Sequence, residues 1–140
     1  MPADQDVCVI TPTVRNPEFI EAYVQNASEN GFDTDRLFVL MVTEDFCDTE
    51  GMRDLLDRLG VDGAVFGGQE RAEWYEKQGV SAYSDVVPAA SHAETRFGLL
   101  YMWNRHEFEY GVFLDDDTAP HPDFDLFGEH LDQLGTRQTA

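Results

Sequence analysis

Short apolar runs alternate with amphipathic stretches along the whole chain. Four runs have the continuous apolar character of strands that are buried on both faces, and they cover Asp6–Pro12, Leu37–Val42, 64–66 and 110–114. Between these runs, apolar residues recur every three or four positions, as they do along one face of a helix. This alternation predicts a single α/β domain over residues 1–140, in three layers: a mainly parallel sheet with helices on both faces.

The predicted helices begin and end at recognisable residues. The first begins with Asn16 as its N-cap and Pro17 at the first helical position, and it stops at Asn30-Gly31. The other predicted helices cover 48–59, ended by Gly60, then 69–78, 92–105, capped by Ser91, and 124–134. Val80–Ala90 shows no regular pattern, and Gly135–Ala140 is predicted to be a frayed tail.

The charge of the chain is strongly unbalanced, with 28 acidic residues against 9 Lys plus Arg and a formal net charge of −19. Such a charge repels itself in ordinary buffer, and concentrated salt relieves the repulsion because the Debye length falls to about 3 Å at 1 M. The acidity is spread over helices and loops, and Lys77 is the only lysine, as is typical of proteins from halophilic archaea. No basic patch is available to neutralise phosphates, which argues against a nucleic-acid partner.

The location predicted from the sequence is the cytoplasm. The apolar runs are shorter than the roughly 18 residues that a membrane helix needs, and the amino terminus lacks the pattern of a signal peptide. Cys8 and Cys47 fit no metal-binding spacing and are predicted to be unpaired thiols. The sequence is compatible with a homo-oligomer.

The strongest candidate for chemistry is the triplet Asp115-Asp116-Asp117, which directly follows the apolar run 110–114. Three adjacent carboxylates repel one another, so a bound cation would stabilise them. Manganese and magnesium prefer oxygen ligands, and the carboxyl edge of an α/β sheet is where such sheets bind ligands. The alternative interpretation is a solvated acidic turn in an acidic protein.

Three other segments are predicted to reach the same edge: Thr11–Arg15, Thr43–Asp45 and Gly67–Arg71. Arg15 follows the first strand and has the guanidinium geometry to hold a phosphate, although a surface arginine paired with nearby acids fits its spacing equally well. Glu44 or Asp45 could accept hydrogen bonds from a nucleobase imide or a ribose hydroxyl; otherwise they are exposed acids. Arg96 is predicted to lie one turn into a helix that starts near the site. Its position fits a role in the site and an exposed structural role equally well.

Three blocks of the sequence carry a family resemblance: 9–16, 93–98 and 113–117. In this order and spacing they resemble the reversibly glycosylated polypeptide family, whose plant members include UDP-arabinopyranose mutase. More broadly, they resemble the nucleotide-sugar half of a GT-A glycosyltransferase with its Asp-x-Asp motif. The similarity runs from about Val7 to Leu134.

The resemblance implies a GT-A fold that binds a UDP-sugar together with a manganese or magnesium ion. Asp117 would be the principal metal ligand, Asp115 would contact the ribose or a metal-bound water, and Asp116 would support the turn. The remaining implied nucleotide-binding residues are Thr11, Thr13, Arg15, Glu44 or Asp45, and Arg96. A metal ion and arginines stabilise the negative charge that gathers on a departing nucleoside diphosphate.

The chain departs from this family by stopping at Ala140, soon after the metal motif. Active members extend further, into a half that forms the acceptor pocket and carries the glycosylated arginine, which has no match here. We therefore expect a truncated GT-A fold, either a natural short form or a fragment.

Two rival functions stay open. One is a nucleotide-sugar-binding or interaction module without catalysis. The other is a phosphatase or mutase with Asp115 as nucleophile and Asp117 as acid or base, but that class places a Thr where this chain has Ala119.

Overall fold

Four parallel strands form one sheet in the computed structural model, which describes residues 5–14, 17–79, 93–105, 107–115, 119–121 and 123–139. The strands are β1 (Val7–Pro12), β2 (Leu37–Val42), β3 (Asp62–Phe66) and β4 (Tyr110–Phe113). Their order across the sheet is β3-β2-β1-β4. β1 is central, and its Val7 pairs with Leu37 of β2 on one side and with Tyr110 of β4 on the other.

Five α-helices accompany the strands within the described residues. They are α1 (Phe19–Glu29), α2 (Thr49–Leu59), α3 (Gly68–Lys77), α4 (Ala93–Arg105) and α5 (Leu126–Thr139). A short 3-10 turn at Thr34–Arg36 leads into β2. None of the described helices is long and apolar enough to cross a membrane.

The helices lie on both faces of the sheet, which confirms the predicted three-layer α/β architecture. Val7 and Val9 of β1 pack with residues of α1, α2 and α5 on one face, whereas Cys8 and Ile10 pack with residues of α3 and α4 on the other. This division follows from the alternation of side chains along a strand. All six residues of β2 are buried, as expected for a strand covered on both faces.

Several predicted boundaries differ from the structure. α1 begins at Phe19 rather than Pro17, because Pro17 and Glu18 form a turn in which Glu18 is the N-cap. Asn16, its predicted N-cap, and Ser91, the predicted cap of α4, lie outside the described residues, as does 80–90. The predicted ends at Asn30-Gly31 and Gly60 are confirmed, and Gly31 and Gly60 have positive φ angles of 81° and 70°.

The last helix is longer than predicted and runs to Thr139, through the residues that were expected to be a frayed tail. Gly135 lies within this helix and does not end it. A glycine inside a helix lowers stability by about 1 kcal/mol relative to alanine, which is too little to break the helix.

β3 begins at Asp62, two residues before its apolar run, because Asp62 and Gly63 also pair with Phe38 and Val39 of β2. Gly63 suits this position, since a β-carbon there would clash with the Val39 carbonyl oxygen. β4 ends at Phe113 rather than Leu114, although the Leu114 amide still donates to the Ile10 carbonyl over 3.1 Å.

Candidate functional site at the carboxyl edge

The strand order creates a topological switch point between β1 and β4. From β1 the chain proceeds through β2 to β3 on one side, then crosses to β4 on the other side. Open α/β sheets bind ligands in the crevice that forms outside the carboxyl ends of strands at such a point. Thr13 follows β1 and Asp115 follows β4, so two residues predicted for the site lie after the ends of neighbouring strands.

Thr13 and Asp115 differ in their exposure. The Thr13 amide donates to the Val42 carbonyl over 3.0 Å, which extends the β1–β2 pairing past Pro12, and its side chain is buried. Asp115 is exposed directly after the buried Leu114. At this edge, a buried threonine with a hydrogen-bonded backbone therefore follows β1, and an exposed aspartate follows β4.

Arg15, Asp116 and Asp117 lie outside the described residues, so their predicted roles stay predictions. Within the residues that the structure describes, no three His, Cys, Asp or Glu side chains are grouped in a way that could hold a metal ion. Asp115 is the described member of the acidic triplet.

Asp45 lies against the amino-terminal end of α3. Its Oδ1 accepts a hydrogen bond of 3.0 Å from the backbone amide of Gln69, and a β-carbon on Gly68 would lie 2.9 Å from its Oδ2. A carboxylate is favoured there by the unpaired amides and the positive end of the helix dipole. Asp45 is also exposed, so it is anchored in position and accessible to solvent.

Glu44 points the other way, into the protein. Arg71 Nη2 donates to Glu44 Oε1 over 3.1 Å, and the exposed fractions of the two side chains are 8% for Arg71 and 6% for Glu44. Arg71 Nη1 also donates to the carbonyl of Thr43. Of the two acids predicted to contact a base, Asp45 is therefore the one that solvent and ligands can reach. Arg71 lies in a segment that the sequence placed at this edge, but the sequence did not indicate its partner.

Thr11 and Thr43 are fully buried threonines at the ends of β1 and β2. Within the described part of the chain, neither side-chain oxygen has a hydrogen-bond partner. Thr11 alternates with Val7 and Val9 and so faces the layer of α1, α2 and α5. Thr11 has no exposed surface through which a ligand could contact it in this structure, and its predicted contact with the nucleotide stays a prediction.

Arg96 lies in α4, on the opposite face of the sheet from the side chain of Thr11, and it is exposed. Its neighbour Phe97 is fully buried against Phe66 of β3, with 4.8 Å between the ring centroids. The packing of Phe97 holds α4 against the sheet, and the adjacent Arg96 is an exposed residue.

A cavity of about 450 Å³ lies between the starts of α1 and α2, beside the loops that follow β1 and β2. Val14 and Phe46 line it from these loops, and Phe46 is 77% exposed. Phe46 was not among the predicted site residues. The signal for it in the sequence is a large apolar side chain that directly follows Glu44 and Asp45.

No protein-family model matches the chain, and a search of curated proteins finds no relative. The family resemblance consequently depends on the three sequence blocks alone.

Proposed function

We propose that this protein binds a nucleotide-sugar, of the UDP-sugar class, at the carboxyl edge between β1 and β4. The single observation that carries the proposal is the strand order, which brings Thr13 and Asp115 to the ends of neighbouring strands at the switch point. The resemblance of residues 9–16 and 113–117 to nucleotide-sugar enzymes supports the same edge.

The donor set suits a magnesium or manganese ion. Such an ion needs only one or two carboxylates when phosphate oxygens and waters complete its coordination, and Asp115 is an exposed carboxylate beside Asp116 and Asp117 in the sequence. In the proposal, Asp117 is the principal ligand, Asp115 contacts the ribose or a metal-bound water, and Asp116 supports the turn. The cation, when bound, neutralises charge that develops on the diphosphate.

The protein side chains would hold the remainder of the nucleotide. Asp45 is the acid that we assign to the base, because it is exposed and its Oδ1 is fixed by the Gln69 amide. Arg15 and Arg96 would pair with the ribose or diphosphate, where a guanidinium fork matches phosphate oxygens. Thr13 would line the nucleotide pocket from the end of β1.

The reaction class that we propose is glycosyl transfer or interconversion of a UDP-sugar, on a GT-A type of fold. Both reactions begin with cleavage of the bond between the sugar and the diphosphate, so both need charge stabilisation at the diphosphate. Binding without turnover would instead identify a nucleotide-sugar-binding module.

Calorimetric titration of UDP, with and without Mn²⁺ in molar salt, tests the donor site. We expect Mn²⁺-dependent binding that Asp117→Ala abolishes and that Glu129→Ala, an exposed acid on α5, preserves. Equal binding by the two variants would overturn the metal assignment. Incubation with labelled UDP-sugars then distinguishes an enzyme from a binding module, since release of UDP or interconversion of the sugar ring requires an enzyme.

A further inference from the structure

Gly68 is the first residue of α3, and the Asp45 side chain lies directly against it. A β-carbon on Gly68 would lie 2.9 Å from Asp45 Oδ2 and 3.4 Å from Asp45 Cγ. The first of these distances is shorter than the normal separation of two non-bonded heavy atoms. The Asp45 carboxylate therefore occupies the space into which any other residue at position 68 would place its side chain.

The backbone at position 68 does not itself require a glycine. Gly31, Gly60 and Gly79 have positive φ angles, which favour glycine, whereas Gly68 does not. A glycine within a helix also lowers stability relative to alanine. The close approach of Asp45 is thus the contact in the described part of the chain that makes a glycine suitable at the start of α3.

The position of Asp45 is fixed by contacts on both sides of the residue. Its Oδ1 accepts a hydrogen bond of 3.0 Å from the backbone amide of Gln69. Just before Asp45, Arg71 donates to the Thr43 carbonyl and, over 3.1 Å, to Glu44 Oε1. Because these bonds hold the chain that leads to Asp45, the orientation of its carboxylate depends on the space and the amide that the start of α3 provides.

We infer that Gly68 is a positioning residue for recognition of the base, and that it acts through Asp45. A carboxylate held in one place can accept the imide N–H of uracil, whereas cytosine has a lone pair at the same ring nitrogen, so a site built for this bond rejects cytosine. This inference rests on the proposed function, because it takes Asp45 to be the acid that contacts the base.

Gly68→Ala should move the Asp45 side chain and leave the rest of the edge in place. The atoms nearest to the added methyl group belong to the end of this one flexible side chain. The next atom, Glu44 Oε2, would lie at 3.6 Å, which is an ordinary van der Waals distance. We therefore expect the variant to fold, to keep the ion pair of Arg71 and Glu44, and to lose the hydrogen bond between Asp45 and the Gln69 amide.

Gly51, in the first turn of α2, provides a matched control. Its amide donates to Asp48 Oδ1 over 3.0 Å, and a β-carbon on Gly51 would also collide with the carboxylate of Asp48. Gly51→Ala consequently displaces an aspartate that caps a helix but that we do not assign to the base. Gly67→Ala is a second variant directed at Asp45, because its β-carbon would lie 3.0 Å from Asp45 Oδ1. Near-UV circular dichroism verifies that each variant is folded.

Two quantities are measured in molar salt: the Kd values of UDP and CDP with Mn²⁺, and the hydrogen-exchange rate of the Gln69 amide. We expect Gly68→Ala to reduce the preference for UDP over CDP about tenfold, as for the loss of one hydrogen bond to a charged group, and to accelerate exchange of the Gln69 amide. Gly67→Ala should change both quantities in the same direction. Gly51→Ala should change the preference by less than about twofold.

A double-variant comparison tests whether Gly68 acts through Asp45. In Asp45→Ala the carboxylate is absent, so adding Gly68→Ala should change the UDP preference no further. An effect of Gly68→Ala that is equally large with and without the carboxylate would overturn the inference.

Two other results would also overturn it. One is a folded Gly68→Ala or Gly67→Ala variant that prefers UDP as strongly as the wild-type protein does. The other is a wild-type protein that binds UDP and CDP equally well. In all three results the wild-type protein still binds UDP, so the proposed function stays in place. A wild-type protein that binds neither nucleotide overturns the proposed function, and the role of Gly68 with it.

Discussion

Arg71 and Glu44 form an ion pair of 3.1 Å inside the protein, directly beneath the carboxyl edge of the sheet. The pair joins the first turn of α3 to the residues that follow β2, and the same arginine binds the Thr43 carbonyl. It therefore holds in place the short segment from which Asp45 reaches solvent.

Arg71→Met should destabilise the protein strongly. It removes the guanidinium that bonds the buried Glu44 carboxylate, and loss of one partner of a buried ion pair lowers the free energy of unfolding by about 3–5 kcal/mol. The exposed pair of Arg53 and Glu70, at 3.2 Å, is the control, and Arg53→Met should cost below about 1 kcal/mol. Urea unfolding in molar salt measures both.

The double variant Arg71→Met/Glu44→Met should recover most of that loss, because a buried ion pair replaced by apolar residues is often neutral in stability. Equal destabilisation by Arg71→Met and Arg53→Met would contradict a buried pair at this position.

A comparison of Asp45→Ala with the control Asp48→Ala separates a structural role of Asp45 from a role in binding. Each acid accepts a 3.0 Å hydrogen bond at the start of a helix, Asp45 from Gln69 and Asp48 from Gly51. Both variants should lose about 1 kcal/mol of stability with the cap. If Asp45 contacts the base as we propose, only Asp45→Ala should weaken the preference for UDP over CDP that the proposed site is expected to show in competition titrations. An equal loss in both variants would remove Asp45 from the proposed base contact.

The ion pair of Asp6 and Arg36 gives a pH-dependent contribution to stability. Arg36 donates to both Asp6 oxygens, over 2.9 and 2.8 Å, and these hydrogen bonds hold the pKa of Asp6 below its ordinary value of 3.8. Because the folded pKa is lowered, the stabilisation is complete above the unfolded pKa and disappears as the pH falls through the folded pKa.

Asp6→Asn should accordingly be less stable than the wild-type protein at pH 6, and the difference should vanish in strong acid. Urea unfolding of both proteins across this range measures it. Asp54→Asn, which changes an exposed acid on α2, controls for the general effect of charge. A difference between Asp6→Asn and wild type that persists below the folded pKa would show that another interaction was lost.

The two cysteines should differ in reactivity. Cys8 is fully buried in β1, and burial raises the pKa of its thiol to about 12, whereas Cys47 is partly exposed in the loop after β2. Since the thiolate is the reactive form, iodoacetamide at pH 8 should label only Cys47 in the folded protein and both residues after unfolding. Mass spectrometry counts the labels. Rapid labelling of folded Cys47→Ser would contradict the burial of Cys8.

The layers and most element boundaries were predictable because they follow from local patterns. The continuous apolar run at Leu37–Val42 matches β2 residue for residue, and Asp48 and Gly60 bound α2 as their capping preferences require. The strand order depends on pairing between distant segments, which local patterns do not determine.

Individual side chains of the candidate site were harder to predict. Glu44 and Asp45 are adjacent acids, and the contact that turns Glu44 inward comes from Arg71, 27 residues away. Asn26 is a polar residue within an apolar stripe, and its three partners lie beyond β4. Such contacts depend on tertiary packing, for which the periodicity of either segment gives no signal.

The central place of β1 also sets an order of folding. β1 pairs with β2 about thirty residues away and with β4 about a hundred residues away, and closing the longer loop costs about 1 kcal/mol more. We therefore expect β1, α1 and β2 to associate early, and β4 with α5 to join them late. The acidic side of the proposed site and the hydrogen bonds of Asn26 would then be completed in the final step, so the proposed nucleotide site would form only once folding is finished.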